Sequence, residues 1–261
     1  MIVGLSSYLA PETLALYATL LAAGIASGFI NTMAGGGSML TLPALMLLGL
    51  PANVANGTNR LSVVAQSLSG VLAFHKAEKL HTEAVLPTVA PAVLGAIGGA
   101  AAAAIAPPEV LEPVLLGTMI AVALLMLAKP KLMAASAEEE PRSAWRHWPS
   151  WLGLFGAGVY GGFVQAGVGF VLLAVLGGLL RYDAVRANAL KLVCTLVFTL
   201  PALGIFVLAD QVAWVPASLL AVGTVIGSQL GVRFAIKAGG RVVHVIVVVT
   251  VIATCVAALL R

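Results

Sequence analysis

Charged side chains are what this 261-residue chain has least of: Asp, Glu, Lys and Arg together make up 9% of it. A soluble domain carries about 25%. With 61% hydrophobic residues and a mean hydropathy of +1.06, the chain has too little polar cover for water and is expected to be solvated by lipid. That excludes a cytosolic enzyme, a nucleic-acid-binding module and a disordered tail. Cysteine is scarce as well. Cys194 and Cys255 sit in apolar runs with no CxxC and no neighbouring histidine, so they are read as packing residues. His75, His81, His147 and His244 lack metal-ligand spacing, and no HExxH, GxSxG or paired carboxylates occur. No catalytic residue, metal or cofactor is therefore expected. The apolar stretches also lack the alternating pattern of barrel strands, which leaves helices. No Lys or Arg precedes the first apolar run, as it would in a secretory signal, so the first helix is expected to be retained.

What is present is a succession of apolar segments, at 12–34, 39–50, 54–74, 84–106 and 109–128, then at 150–168, 169–180, 184–207, 213–235 and 239–260. These predict an all-α polytopic membrane protein of about ten helical segments. Two of them, 39–50 and 169–180, would rise only about 18 Å as helices, against a hydrocarbon core of about 30 Å. They read as broken or re-entrant. Lys and Arg concentrate in three loops: Lys76 and Lys79; Lys129 to Arg146; and Arg233, Lys237 and Arg241. The turns at Pro107-Pro108-Glu109 and Asp210-Gln211 have none. The positive-inside rule puts the basic loops in the cytoplasm and both termini outside.

A shift of 132 residues aligns the halves without a gap. Gly24 falls on Gly156, Ala34 on Ala166, Gly35 on Gly167, Gly37 on Gly169, Asn56 on Asn188, Gly95 on Gly227 and Gly99 on Gly231. Under the same shift the basic loop at 75–83 meets the non-basic turn at 207–215, so the halves face opposite ways. The expected organisation is a first inverted repeat at 1–128, a cytoplasmic linker at 129–149 and a second inverted repeat at 150–261. Inverted repeats with short segments at matching positions mark secondary transporters, whose site lies near the midplane.

The polar residues gather at those short segments. Gly35-Gly36-Gly37 cannot hold a helix well, since each glycine costs about 1 kcal/mol against alanine. Irregular backbone at membrane depth is tolerated only where it is buried in protein or lines a cavity. A helix starting at Ser38 would aim its amides into the break, and Gly167-Val-Gly169 repeats the arrangement, which favours an anion. Asn31 and Gln165 would bind from beside the breaks. Asn56, Thr58, Asn59, Arg60, Asn188 and Lys191 would line the path. The ten Asp and Glu lie in loops and at segment ends, which disfavours a carboxylate relay. The bland alternatives are that Arg60 and Lys191 snorkel to the interfaces and that the asparagines are interhelical glue worth about 0.6 kcal/mol each. Gly95-xxx-Gly99 and Gly227-xxx-Gly231 read as small-residue packing faces.

The stretches Gly28-Phe-Ile-Asn-Thr-Met-Ala-Gly-Gly-Gly-Ser, Leu42-Pro-Ala-Leu and Ala55-Asn-Gly-Thr-Asn-Arg resemble the TauE/SafE sulfite-exporter family, as do Gly162-Phe-Val-Gln-Ala-Gly-Val-Gly and Ala187-Asn-x-x-Lys. The resemblance covers nearly the whole chain. It implies transport of small sulfur-containing anions, such as sulfite, thiosulfate or short organosulfonates, across a bacterial cytoplasmic membrane. The expectation is a multi-pass secondary transporter of a small anion. A passive channel of the same fold and a non-transporting membrane subunit are the alternatives. The expected partners are the anion and the bilayer, not nucleic acid; the oligomeric state is left open.

Overall fold

The computed structural model describes residues 11–33, 35–128 and 140–259. Ala34, the stretch 129–139 of the expected linker, and both extreme termini lie outside the described residues. Helix α1 (Pro11–Met33) is followed by a short α2 (Ser38–Leu47), then α3 (Ala52–Lys76), α4 (Val85–Ile105) and α5 (Pro108–Ala128). Beyond the linker come α6 (Trp148–Phe163), α7 (Val168–Leu173) running into a π-helical turn (Ala174–Leu179), α8 (Ala184–Leu208) and α9 (Trp214–Leu259). Among the described residues there is no strand. Among the described residues, four stretches are long and apolar enough to cross a bilayer: Ala15–Met33, Thr82–Ile105, Ala184–Leu208 and Trp214–Lys237. The two short segments are helices of insufficient length to cross, Ser38–Leu47 and Val168–Leu179.

One expectation is corrected. The segments 213–235 and 239–260 form a single helix of 46 residues. In the first half α4 ends because Pro107 and Pro108 follow it; Ala106 is forced extended, ψ 132°. The aligned residues in the second half are Gly239 and Gly240. Glycine weakens a helix but keeps its N–H, so nothing there compels a break.

The backbone turns obey the offset read from the sequence. Seven described residues have positive φ, and six of them form three pairs 132 apart: Gly35 with Gly167, Gly49 with Arg181, and Glu78 with Asp210. The last pair closes α3 and α8 with the same left-handed cap. Lys79 N–H reaches Phe74 O at 3.0 Å, and Gln211 N–H reaches Phe206 O at 2.9 Å. Helices α3 and α8 share bounds at the same spacing, Ala52–Lys76 and Ala184–Leu208.

Close packing pairs each half with the other rather than with itself. Helix α1 lies against α9 through Gly24, Gly28, Gly223 and Gly227; an added Cβ at Gly28 would run into the backbone of Thr224. Helix α4 lies against α6 through Gly95, Gly99, Gly158 and Gly162 in the same way. The expected small-residue faces are therefore backbone-to-backbone contacts between halves. At the centre α3 and α8 run antiparallel, with Gly57 against Phe206 at one end and Gly70 against Leu192 at the other.

Candidate functional site

The two breaks meet. A Cβ on Gly35 would collide with the backbone of Gly169, and one on Gly169 with that of Gly35. Gly35 (φ 94°) and Gly167 (φ 74°) hold left-handed conformations that only glycine adopts freely. Gly36 leaves room for the Phe170 ring, and Gly37 for Ser27 and Asn31. Gly37 N–H, at the start of α2, donates to Asn31 Oδ1 at 3.4 Å. Ser38 is buried beside it. The unpredicted Tyr160 steadies the second break, its hydroxyl donating to Ala166 O at 2.5 Å.

Breaking α1 and α6 at mid-protein leaves their last carbonyls without intrahelical donors. Arg60, on α3, supplies them for α6. Its Nη1 donates to Gly161 O and to Gln165 Oε1, both at 2.5 Å, and its Nη2 to Gly162 O at 2.6 Å, Asn56 Oδ1 at 3.2 Å and Phe163 O at 3.4 Å. The guanidinium also lies 5.0 Å from the centre of the Phe206 ring. Asn56 Nδ2 adds a bond to Phe163 O at 2.8 Å. Lys191, on α8, does the same for α1: its Nζ donates to Asn31 O at 2.7 Å, Thr32 O at 3.2 Å and Asn188 Oδ1 at 2.7 Å. Asn188 Nδ2 is held by its own helix, on Ala184 O. Each half's buried base thus closes the carbonyl end of the other half's broken helix.

Both bases are fully enclosed, Arg60 at 0% and Lys191 at 1% exposure. The snorkelling alternative is overturned, because neither side chain reaches an interface. No Asp or Glu is buried among the described residues, so neither cation has a buried carboxylate. The negative ends of α1 and α6 offset part of the charge, a helix terminus counting as roughly half an elementary charge.

Of the remaining predicted residues, Asn59 joins the same region by a different route. Its Oδ1 accepts from Thr41 Oγ1 at 2.6 Å, at the first turn of α2. Thr58 turns away from the breaks, accepting from Ala213 N–H at 2.9 Å between α8 and α9. Asn31, Gly35, Gly36, Gly37, Ser38, Asn56, Asn59, Arg60, Gln165, Gly167, Gly169, Asn188 and Lys191 gather around the two breaks. Phe206 and Tyr160 were not legible, since an aromatic residue in an apolar segment looks like any other core residue.

The family model described as sulfite exporter TauE/SafE matches residues 20–258. The chain is 30% identical over 246 residues to the probable membrane transporter protein ORF9 of Sinorhizobium sp, covering 91% of this chain and 90% of that protein. It is 26% identical to a probable membrane transporter protein of Haemophilus influenzae, with 90% and 91% covered. The probable membrane transporter protein YfcA of Escherichia coli strain K12 is 28% identical, with 85% and 82% covered. No solved structure matches the chain. These relatives indicate a membrane transporter and not an enzyme, and the chain belongs to the sulfite exporter TauE/SafE family.

Proposed function

We propose that the protein is a secondary transporter of a small anion, a sulfur oxyanion such as sulfite or a related organosulfur anion, in the bacterial cytoplasmic membrane. The site is the meeting of the two breaks, midway between two repeats of inverted topology, and access to it alternates between the two sides. The observation that carries this reading is the pair of fully buried cations, Arg60 and Lys191, with no buried carboxylate among the described residues. An uncompensated buried charge costs several kcal/mol, and helix ends offset only part of it. A small anion entering between the breaks supplies the rest. The family description and the relatives' names support transport; the charge at the breaks supports an anion.

The test is flux of labelled sulfite, thiosulfate and a short organosulfonate in proteoliposomes of the purified protein. Saturable uptake that is accelerated by the same anion on the opposite side is expected. Non-saturating flux without counterflow would replace the carrier by a channel. No flux of any small anion through folded protein would overturn the reading.

A further inference from the structure

Nearly every polar group at the breaks already has a partner. The three N–H bonds of Lys191 go to Asn31 O, Thr32 O and Asn188 Oδ1. Asn56 and Asn188 each use both ends of their amides. Gln165 Oε1 and Asn31 Oδ1 are engaged as acceptors. Two nitrogens are left. Among the described residues, Asn59 Nδ2 and Arg60 Nε are the buried side-chain nitrogens without a hydrogen-bond partner. They belong to consecutive residues of α3.

Their surroundings place them at the crossing. Asn59 is tied through Oδ1 to Thr41 in the first turn of α2, and Arg60 through its Nη atoms to the end of α6. Gly35 just precedes α2 and Gly169 lies just beyond α6, and the two glycines abut each other. The early amides of α2 at Met39, Leu40 and Thr41 turn back onto Gly36 O and Gly37 O, so α2 contributes the positive end of its dipole rather than free donors. An unsatisfied buried donor costs about 1–3 kcal/mol. Here two such donors stand on consecutive residues, one of them part of the Arg60 cation and the other tied to the first turn of α2, and both call for an acceptor.

We infer that the anion is gripped from one side, by Asn59 Nδ2 and Arg60 Nε of α3, while Lys191 acts as a clasp on α1 and makes no direct contact. This rests on the reading of the protein as an anion transporter. The second half offers no counterpart: the residues 132 further on are Lys191, whose donors are all engaged, and Leu192, which has none. A ligand taking one donor from each side chain is an oxyanion with two oxygens on one atom, which sulfite provides.

Asn59→Asp tests the contact, because Oδ1 still accepts from Thr41 while the free donor becomes an acceptor carrying negative charge, and both changes oppose an anion held there. With sulfite as the probe, calorimetry on the purified protein is expected to give binding weakened about tenfold or more, the effect of losing a hydrogen bond to a charged group. Unchanged affinity in Asn59→Asp overturns the inference. Should that variant not fold, wild-type protein labelled with 15N-asparagine reads the same contact. It has five asparagines, and sulfite is expected to move one side-chain amide pair, the pair that Thr41→Val also moves without sulfite. No movement of that pair overturns the inference. If the wild type binds no small oxyanion at all, the transporter reading falls; if it binds and Asn59 is indifferent, only the one-sided grip does.

Discussion

Arg60 and Lys191 do one job with two chemistries. Each donates into the last carbonyls of a helix from the other half, but Arg60 reaches five oxygens with two nitrogens and Lys191 three with one. Removing Arg60 leaves Gly161 O and Gly162 O, and Gln165 Oε1, without their donor. An orphaned buried acceptor costs about 1–3 kcal/mol, so Arg60→Ala is expected to destabilise the protein by about 3 kcal/mol or more. Both variants remove a buried charge, but Lys191→Met loses fewer bonds and keeps most of its side-chain volume, so its loss should be smaller. Denaturant unfolding in detergent checks the order; a Lys191→Met variant less stable than Arg60→Ala would contradict it. The identity of these residues was legible in the sequence, but their depth was not. A straight crossing would set Arg60 about 22 Å along α3 from His75, near an interface, but only for a helix with no partner. The partners lie more than a hundred residues away, on a helix whose early end creates the carbonyls that need them.

At the scale of elements, the glycines divide by what faces them. Gly35 and Gly169 abut each other's backbone, so Gly35→Ala and Gly169→Ala are expected to separate the breaks and abolish transport. Gly49 is the informative comparison. It also has positive φ, 83°, but nothing lies within 4 Å of an added Cβ. Gly49→Ala should therefore cost only the left-handed backbone penalty, about 1–2 kcal/mol, with flux retained. Gly204, inside α8 and facing open space, should gain up to about 1 kcal/mol as alanine. Unfolding midpoints for the four variants, read beside flux, distinguish contact from conformation. Helix positions, the short segments and the small-residue faces could be read from periodicity and composition. The caps at Glu78 and Arg181 could not be read from their own residue types, which carry no preference for positive φ, and Asp210 carried only the weak left-handed preference of aspartate. For Arg181 a signal did exist: it stands 132 residues after Gly49. The unbroken α9 was missed because a basic loop flanked by glycines looks like a turn, although no residue there forbids a helix.

For the whole molecule, the pattern of contacts decides what can move. The sequence halves are not separable bodies: α1 packs on α9, α4 on α6, and each basic clasp crosses between halves. On the proposed alternating access, the motion is more easily carried by the mixed pairs, α1 with α9 against α4 with α6, turning about the central α3 and α8. That leaves the tight glycine contacts intact and shifts only the centre, where the breaks meet. The prior condition is opposed orientation of the halves, and Glu78 and Asp210 probe it directly. Both are exposed, both close a long central helix in the same conformation, and they stand 132 residues apart. Lys76 and Lys79 flank the first, whereas no Lys or Arg adjoins the second, so the positive-inside rule puts them on opposite faces. In a background with Cys194 and Cys255 replaced by serine, Glu78→Cys should react with a membrane-impermeant maleimide only after the cells are opened. Asp210→Cys should react in intact spheroplasts. Labelling of both from the same side would refute the inverted arrangement, and with it a site shared between two oppositely oriented repeats.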